Sequence, residues 1–189
     1  TINAATAVAV DASNVTGLAS DTLSNISTLL TAGNDTNQFT ANSFSGLTSV
    51  TVSDTTIDVS DFVGAVDQAN AATGNTSTVF TIASGATING GNEANFSALL
   101  TDETNNQVVI SNQNLTVDSG TISVDNANLL AATTTGKLTA TIDVTETVTE
   151  LATLSADGGT NDLTVVIRSD DATAATAAQL NTINAATAV

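Results

Sequence analysis

Val50–Val66, VTVSDTTIDVSDFVGAV, carries two hydrophobic periodicities in one short stretch. Over residues 50–54, and again over 55–59, apolar and polar residues alternate and β-branched Val, Ile and Thr prevail, which is typical of half-buried strands. From residue 60 to 66 the apolar residues fall at helical spacing behind Ser60 and Asp61, which suit the start of a helix. The stretch predicts two short strands followed directly by a short helix.

The same order of strand and helix patterns recurs along the chain. Strand patterns lie at residues 7–11, 50–54, 55–59, 79–82, 86–88, 108–110, 115–118, 121–124, 138–143 and 163–167. Helix patterns lie at residues 20–30, 60–66, 92–100, 125–132, 145–154 and 176–186. Helices of about ten residues are marginal alone in water, so each must pack against the strands beside it.

The first eight residues, Thr1–Val8, return unchanged as Thr182–Val189, at an offset of 181 residues. Six helix patterns within that offset give about 30 residues per unit. We therefore predict a repeat solenoid: a parallel β-solenoid of about six coils, each with one or two strands plus a short helix. Residues 1–189 would be one solenoid segment, a 181-residue period plus an eight-residue overlap, within a longer tandem array. The alternative is a single α/β globule whose strands and helices are unrelated.

The composition excludes several functions. The sequence has two basic residues, Lys and Arg counted together, and 19 acidic residues, Asp and Glu counted together. The resulting formal net charge of −17 argues against nucleic acid and anionic membranes as partners. With no Cys and no His, disulfides, thiolate zinc sites and histidine catalysis are impossible. No run approaches the length of a membrane span, so we expect no membrane insertion.

Three features invite a chemical interpretation, and each is weak. Asp170–Asp171 beside Arg168 resembles the acidic clusters of β-helix enzymes that cleave polysaccharides, but a polar loop explains the cluster better. The glycine-rich stretches 90–93 and 158–162 lack the spacing of known calcium motifs. Thr-x-Thr at residues 139–141 and 145–149 would bind ice only if every coil repeated it, and the other coils do not.

Residues 176–187, TAAQLNTINAAT, and residues 50–57, VTVSDTTI, look like the giant Ala/Thr-rich repetitive proteins of marine picocyanobacteria. The likeness covers most of the chain in style, and its motifs are low in specificity. The resemblance implies a secreted or cell-surface protein linked to surface layers, adhesion or motility, and it transfers no catalytic residues. Bacterial and phage adhesins with β-solenoid stalks are near neighbours.

These observations together predict an extracellular structural repeat that forms a stiff acidic fibre, stalk or cell-surface coat. The alternative is an adhesin or binding module for polysaccharide or ice, and a polysaccharide-cleaving enzyme comes a distant third. We expect no catalytic, cofactor-binding or metal-binding residues, and only non-specific association of divalent cations. The expected partners are further copies of the chain, joined end to end along the solenoid axis, and surface polysaccharide.

Overall fold

Short strands and short helices alternate through the computed structural model, which describes residues 8–74, 76–155, 161–171 and 175–187. The strands are β1 Gly17–Asp21, β2 Ser49–Val52, β3 Thr56–Asp58, β4 Val79–Ile82, β5 Thr87–Gly91, β6 Val108–Val109, β7 Asn114–Val117, β8 Leu138–Thr141 and β9 Asp162–Thr164. The helices are α1 Leu23–Gly33, α2 Val59–Thr73, α3 Glu93–Thr104, α4 Val124–Thr133, α5 Val148–Leu151 and α6 Ala177–Ala186.

The strands form two parallel sheets. One sheet has four strands in the order β1-β2-β4-β6, and the other has five in the order β3-β5-β7-β8-β9. The longest unbroken register runs from Ser49 opposite Val79 to Val52 opposite Ile82. Consecutive helices α1, α2, α3 and α4 lie side by side in a layer of their own. Each parallel pair therefore joins segments that are far apart in sequence, and a connection between them carries a helix.

The prediction of a β-solenoid is wrong. The two parallel sheets and six helices form a layered α/β fold in one compact domain, so the expected tandem-repeat filament is wrong as well. The prediction took the core pattern, one or two strands and a short helix, to stay the same from coil to coil while the loops varied. The chain instead passes from β1 directly into α1, builds sheets of four and five strands, and shortens the offset between paired strands from 32 residues (Gly17 to Ser49) to 23 (Thr139 to Asp162). The single α/β globule considered as the alternative is closer to the structure.

A helix is present at each of the six predicted positions and begins at a strong N-terminal cap, although α5 covers only Val148–Leu151 of the predicted 145–154, and α2, Val59–Thr73, is longer than the predicted 60–66. The cap residue is in every case a Thr, Asp, Asn or Ser whose side chain accepts a hydrogen bond from a first-turn amide. The caps are Thr22, Asp58, Asn92, Ser123, Thr147 and Thr176. Reciprocal capping boxes form at Asn92 with Asn95, at Thr147 with Glu150 and at Thr176 with Gln179. The longest helix, α2, has 15 residues, and no helix among the described residues is long and apolar enough to cross a membrane.

Most predicted strands are also present, with differences at the ends of the fold. The strand pattern at 7–11 contributes only a bridge from Val10 to Phe39, and residue 7 lies outside the described residues. The pattern at 121–124 contributes a bridge from Ile122 to Ile142. Strand β1 has no counterpart in the predictions, because its sequence, GLASD, contains no β-branched residue. Pairing with β2 makes it a strand.

The core consists of aliphatic side chains with all five phenylalanines among them. Phe62 on α2 meets Phe80 on β4 edge to face, with ring centroids 5.8 Å apart. Phe39 and Phe44, in the segment before β2, pack at 5.3 Å. The composition predicts a core of small branched side chains, and the few aromatic rings fill the space where the helix layer meets the sheets.

The close approach at Gly33 provides a test of the packing. A Cβ at this position, the last residue of α1, would lie 2.6 Å from the ring of Phe44, which is 2 % exposed. We expect Gly33→Ala to lower the free energy of unfolding by about 1–3 kcal/mol, because the ring has no space to move into. Urea denaturation measures the change.

Gly64 on α2 is the matched control, since a Cβ there meets nothing within 4 Å. Gly64→Ala should raise the free energy of unfolding by about 0.5–1 kcal/mol, because alanine restricts the unfolded chain and favours the helix. Equal effects of the two substitutions would contradict the packing described for Gly33.

Candidate binding groove and carboxylate clamps

In three helices the first backbone amide donates a hydrogen bond to a carboxylate. That carboxylate belongs to a residue between 22 and 31 positions later in the chain. The Leu23 N–H donates to Oδ2 of Asp54 at 2.6 Å, and the Val124 N–H donates to Oε1 of Glu146 at 3.1 Å. The Val148 N–H donates to Oδ2 of Asp171. These donors open α1, α4 and α5, where no intrahelical acceptor exists and the helix dipole favours negative charge. We call these three contacts the carboxylate clamps.

Helix α3 is tied to its neighbour by a related contact. Oε1 of Glu93 accepts hydrogen bonds from the N–H of Ser123 at 2.9 Å, from the Ser123 hydroxyl at 2.6 Å and from Nδ2 of Asn126 at 2.8 Å. These bonds, the Ser123 hydroxyl first, hold the pKa of Glu93 below its ordinary value. The Glu93 carboxylate thus joins α3 to the start of α4.

A groove of about 780 Å³ lies between α1 and α2. Its floor is β3, and its walls are the facing sides of the two helices. No residue of β5 lines the groove, and among the described strands β3 pairs only with β5, so the groove lies on the unpaired side of β3. The groove is lined by Leu23, Ser24, Ser27, Thr28, Thr31, Ala32, Gln38, Asp54, Thr56, Ile57, Asp58, Ser60, Asp61, Gly64 and Gln68.

Hydrogen-bond acceptors and negative charge dominate this groove. It contains Asp54, Asp58 and Asp61, and no Lys or Arg is among its lining residues. Asp58 accepts from the Ser60 hydroxyl at 2.7 Å and from the Ser60 N–H at 2.9 Å, and these bonds keep its pKa below the ordinary value. Oε1 of Gln68 is buried and makes no hydrogen bond. A ligand that donates hydrogen bonds or carries positive charge fits such a lining.

Asp102 on α3 is the one described carboxyl group whose pKa is raised. Burial raises it to about 6, and the nearby charge of Asp67 adds to the effect. Oδ2 of Asp102 is buried without a hydrogen-bond partner. Asp102 does not line the groove, so its raised pKa concerns stability.

The residues that the sequence marked for chemistry have structural roles. Arg168 pairs with Asp170 and donates to the carbonyl of Thr145 at 3.1 Å, while Asp171 forms a carboxylate clamp. Residues 90–93 end β5 and begin α3, which is the turn expected of them. Of the stretch 158–162, residues 158–160 lie outside the described residues. No group of three or more acidic side chains within the described ranges could hold a metal ion.

The threonines do not form a regular array on either sheet. Oγ1 of Thr81 lies 3.2 Å from Oγ1 of Thr51 on the neighbouring strand, but the next strand in the sheet places Val109 opposite Thr81. On the second sheet Thr139 pairs with Thr116 on one side and with Asp162 on the other. The rows of threonine across neighbouring strands are therefore interrupted, as the sequence indicates.

The groove was not predicted from the sequence, because its walls and floor come from segments that no local pattern connects. Comparison with protein-family models, with curated proteins and with solved structures finds no match for the chain. A function is therefore argued from the geometry and charge of the chain itself.

The clamp at Asp54 should contribute measurably to stability. Asp54→Ala leaves the partly buried Leu23 amide without its acceptor, and we expect the free energy of unfolding to fall by about 1 kcal/mol. Asp61→Ala, in the same groove but with an exposed side chain, should cost about 0.5 kcal/mol, the value of a helix-dipole contact. Chemical denaturation of both variants measures these two free energies of unfolding. Equal losses in the two variants would mean that the hydrogen bond from Leu23 to Asp54 contributes nothing specific to stability.

Asp102 predicts an unusual pH dependence. Because the pKa of Asp102 is higher in the folded chain than its ordinary value of 3.8, ionisation disfavours folding, and the contribution of Asp102 to stability is lost as pH rises from about 4 through about 6. Asp102→Asn should therefore gain stability relative to the parent over that window. The gain should reach about 1 kcal/mol at pH 7, since solvent screens a half-exposed group. Denaturation at pH 4, 5, 6 and 7 measures the difference, and a difference that is constant with pH would contradict the assignment.

Proposed function

We propose that the chain is an extracellular structural module of a cell-surface coat or stalk, and that it acts through stiffness and negative charge. The observation that carries the proposal is that the carboxylates serve two purposes at once. In the carboxylate clamps they join successive parts of the scaffold, and together they give the chain a net charge of −17. The resemblance to repetitive surface proteins of marine picocyanobacteria supports the same function.

Several surface carboxylates are held in the charged form by neighbouring donors. The Asn25 side chain lowers the pKa of Asp21, and the backbone amides of Thr145 and Thr147 lower the pKa values of Asp143 and Glu150. A surface of this kind keeps its charge in mildly acidic surroundings, attracts cations without a specific site, and repels like surfaces. These properties suit a hydrated outer layer.

Contact between copies remains part of the proposal. Strands β1 and β6 end one sheet and β3 and β9 end the other, so each sheet has unpaired backbone groups at both edges among the described residues. Such edges can pair with another chain. The strong negative charge opposes that contact, so we expect any association of copies to increase as salt screens the repulsion.

A binding module is the second candidate, and the groove between α1 and α2 is the observation that favours it. Hydroxyl and carboxylate groups line it, and surface polysaccharide, which the sequence predicts as a partner, carries matching hydroxyl donors. Binding of a soluble polysaccharide that Asp61→Asn and Thr56→Pro both abolish would support this candidate.

Surface location gives the direct test of the proposal. An antibody against the purified domain should label intact cells of the source organism as strongly as permeabilised cells, and deletion of the coding segment should thin the surface layer in sectioned cells. An antibody to a cytosolic protein is the control for leakage. Labelling that requires permeabilisation, or an unchanged surface layer after deletion, would contradict the proposal.

A further inference from the structure

The edge of β3 lies inside the groove between α1 and α2. In the first sheet, β1 lies beside β2, but the chain then turns from Asp21 through the cap Thr22 directly into α1. No described strand therefore lies on the outer side of β3. Ile57 forms part of the core and Thr56 is exposed, as the pleat of a strand requires. The backbone of β3 can accept one more strand on this side.

The shape of the groove determines which kind of strand can reach β3. Helix α1 forms one wall, from Leu23 to Ala32, and α2 forms the other, from Ser60 to Gln68. The edge strand β9 of a second copy would bring its neighbour β8 and the rest of its sheet, which the two helical walls exclude. A single extended peptide segment has no such flanking structure and can lie along β3.

Charge selects the chemistry of the segment. Asp54 precedes the edge strand β3, Asp58 is its last residue and Asp61 follows it, so carboxylates lie at both ends of the edge. Inside the groove the buried Oε1 of Gln68 makes no hydrogen bond and needs a donor. Lys137 and Arg168, the only Lys and Arg in residues 1–189, are paired with Asp162 and Asp170, so a basic segment has to come from outside these residues.

We propose that the groove between α1 and α2 binds an extended basic segment of a partner protein, which adds to the edge of β3 as a parallel strand. Its backbone pairs with Thr56 and Asp58, and its Lys or Arg side chains lie near Asp58 and Asp61. Small side chains occupy the alternate positions, which face Ile57 and the wall of α1. The proposal goes beyond the structural function above and does not depend on where the protein is located.

Binding of synthetic peptides tests the proposal. The probe is a fluorescein-labelled eight-residue peptide of alternating Val and Thr with two Lys, and its controls carry Glu instead of Lys or N-methylated backbone amides. The full chain is titrated into each peptide and fluorescence anisotropy is recorded at low and moderate salt. We expect only the Lys peptide with free amides to bind, because the groove requires both charge and backbone pairing.

Two substitutions locate the binding site. Thr56→Pro removes an outward-facing amide of β3, and prolines are tolerated at such an edge. Asp61→Asn removes one charge from the groove. Each should weaken binding of the Lys peptide by about tenfold. Asp125→Asn is the matched control, since Asp125 is also an exposed acid in the first turn of a helix, α4, but lies outside the groove. It should leave binding unchanged.

Circular dichroism of every variant shows whether it remains folded. Chemical-shift changes in the parent protein should centre on Thr56, Ile57, Asp58 and Gln68 when the Lys peptide is added. The proposal is overturned if Asp125→Asn weakens binding as much as Asp61→Asn, which would indicate general attraction to a negative surface. It is equally overturned if the N-methylated peptide binds as well as the free one, or if a polysaccharide and no peptide occupies the groove.

Discussion

The first amide of a helix has no acceptor within the helix, and in this fold a carboxylate from further along the chain supplies it. Asp54, Glu146 and Asp171 do this for α1, α4 and α5. Each bond joins the start of one helix to the strand–helix unit that follows it in the chain. It therefore fixes the start of that helix relative to the next strands. Parallel sheets of strands this short depend on such ties, because only two to five residues pair in each strand. Three of the 19 acidic residues are used in this way.

The groove is a consequence of where the two-strand pattern begins. From β2 to α2 and from β4 to α3 the chain supplies a strand to each sheet before it enters a helix. Before α1 the described residues supply only β1, so the second sheet has no strand beside β3 at the level of β1. Helix α1 therefore lies over the unpaired side of β3, and the space between α1, α2 and β3 is the groove. The clamp from Asp54 to Leu23 holds one wall of the groove in place.

Local sequence signals predicted the helices well and the assembly poorly. A cap such as Asn92 or Thr176 is readable because it acts within four residues of itself. Strand β1 was not predictable, since GLASD has no strand propensity and is a strand only through its pairing with β2. Each carboxylate clamp joins two residues that are between 22 and 31 positions apart in the sequence, and no local pattern marks them. The solenoid prediction allowed for uneven loops but took the core pattern to stay the same in every unit, whereas the number of strands per unit changes along the chain.

The clamps can be observed directly by amide hydrogen exchange. The N–H groups of Leu23, Val124 and Val148 lie at helix starts, where exchange is ordinarily fast because no intrahelical acceptor is present. Measured by NMR on the intact chain at neutral pH, these three amides should exchange as slowly as amides in the middle of α2. Exchange at the rate of an unstructured chain at all three positions would contradict the account that carboxylates join the layers of this fold.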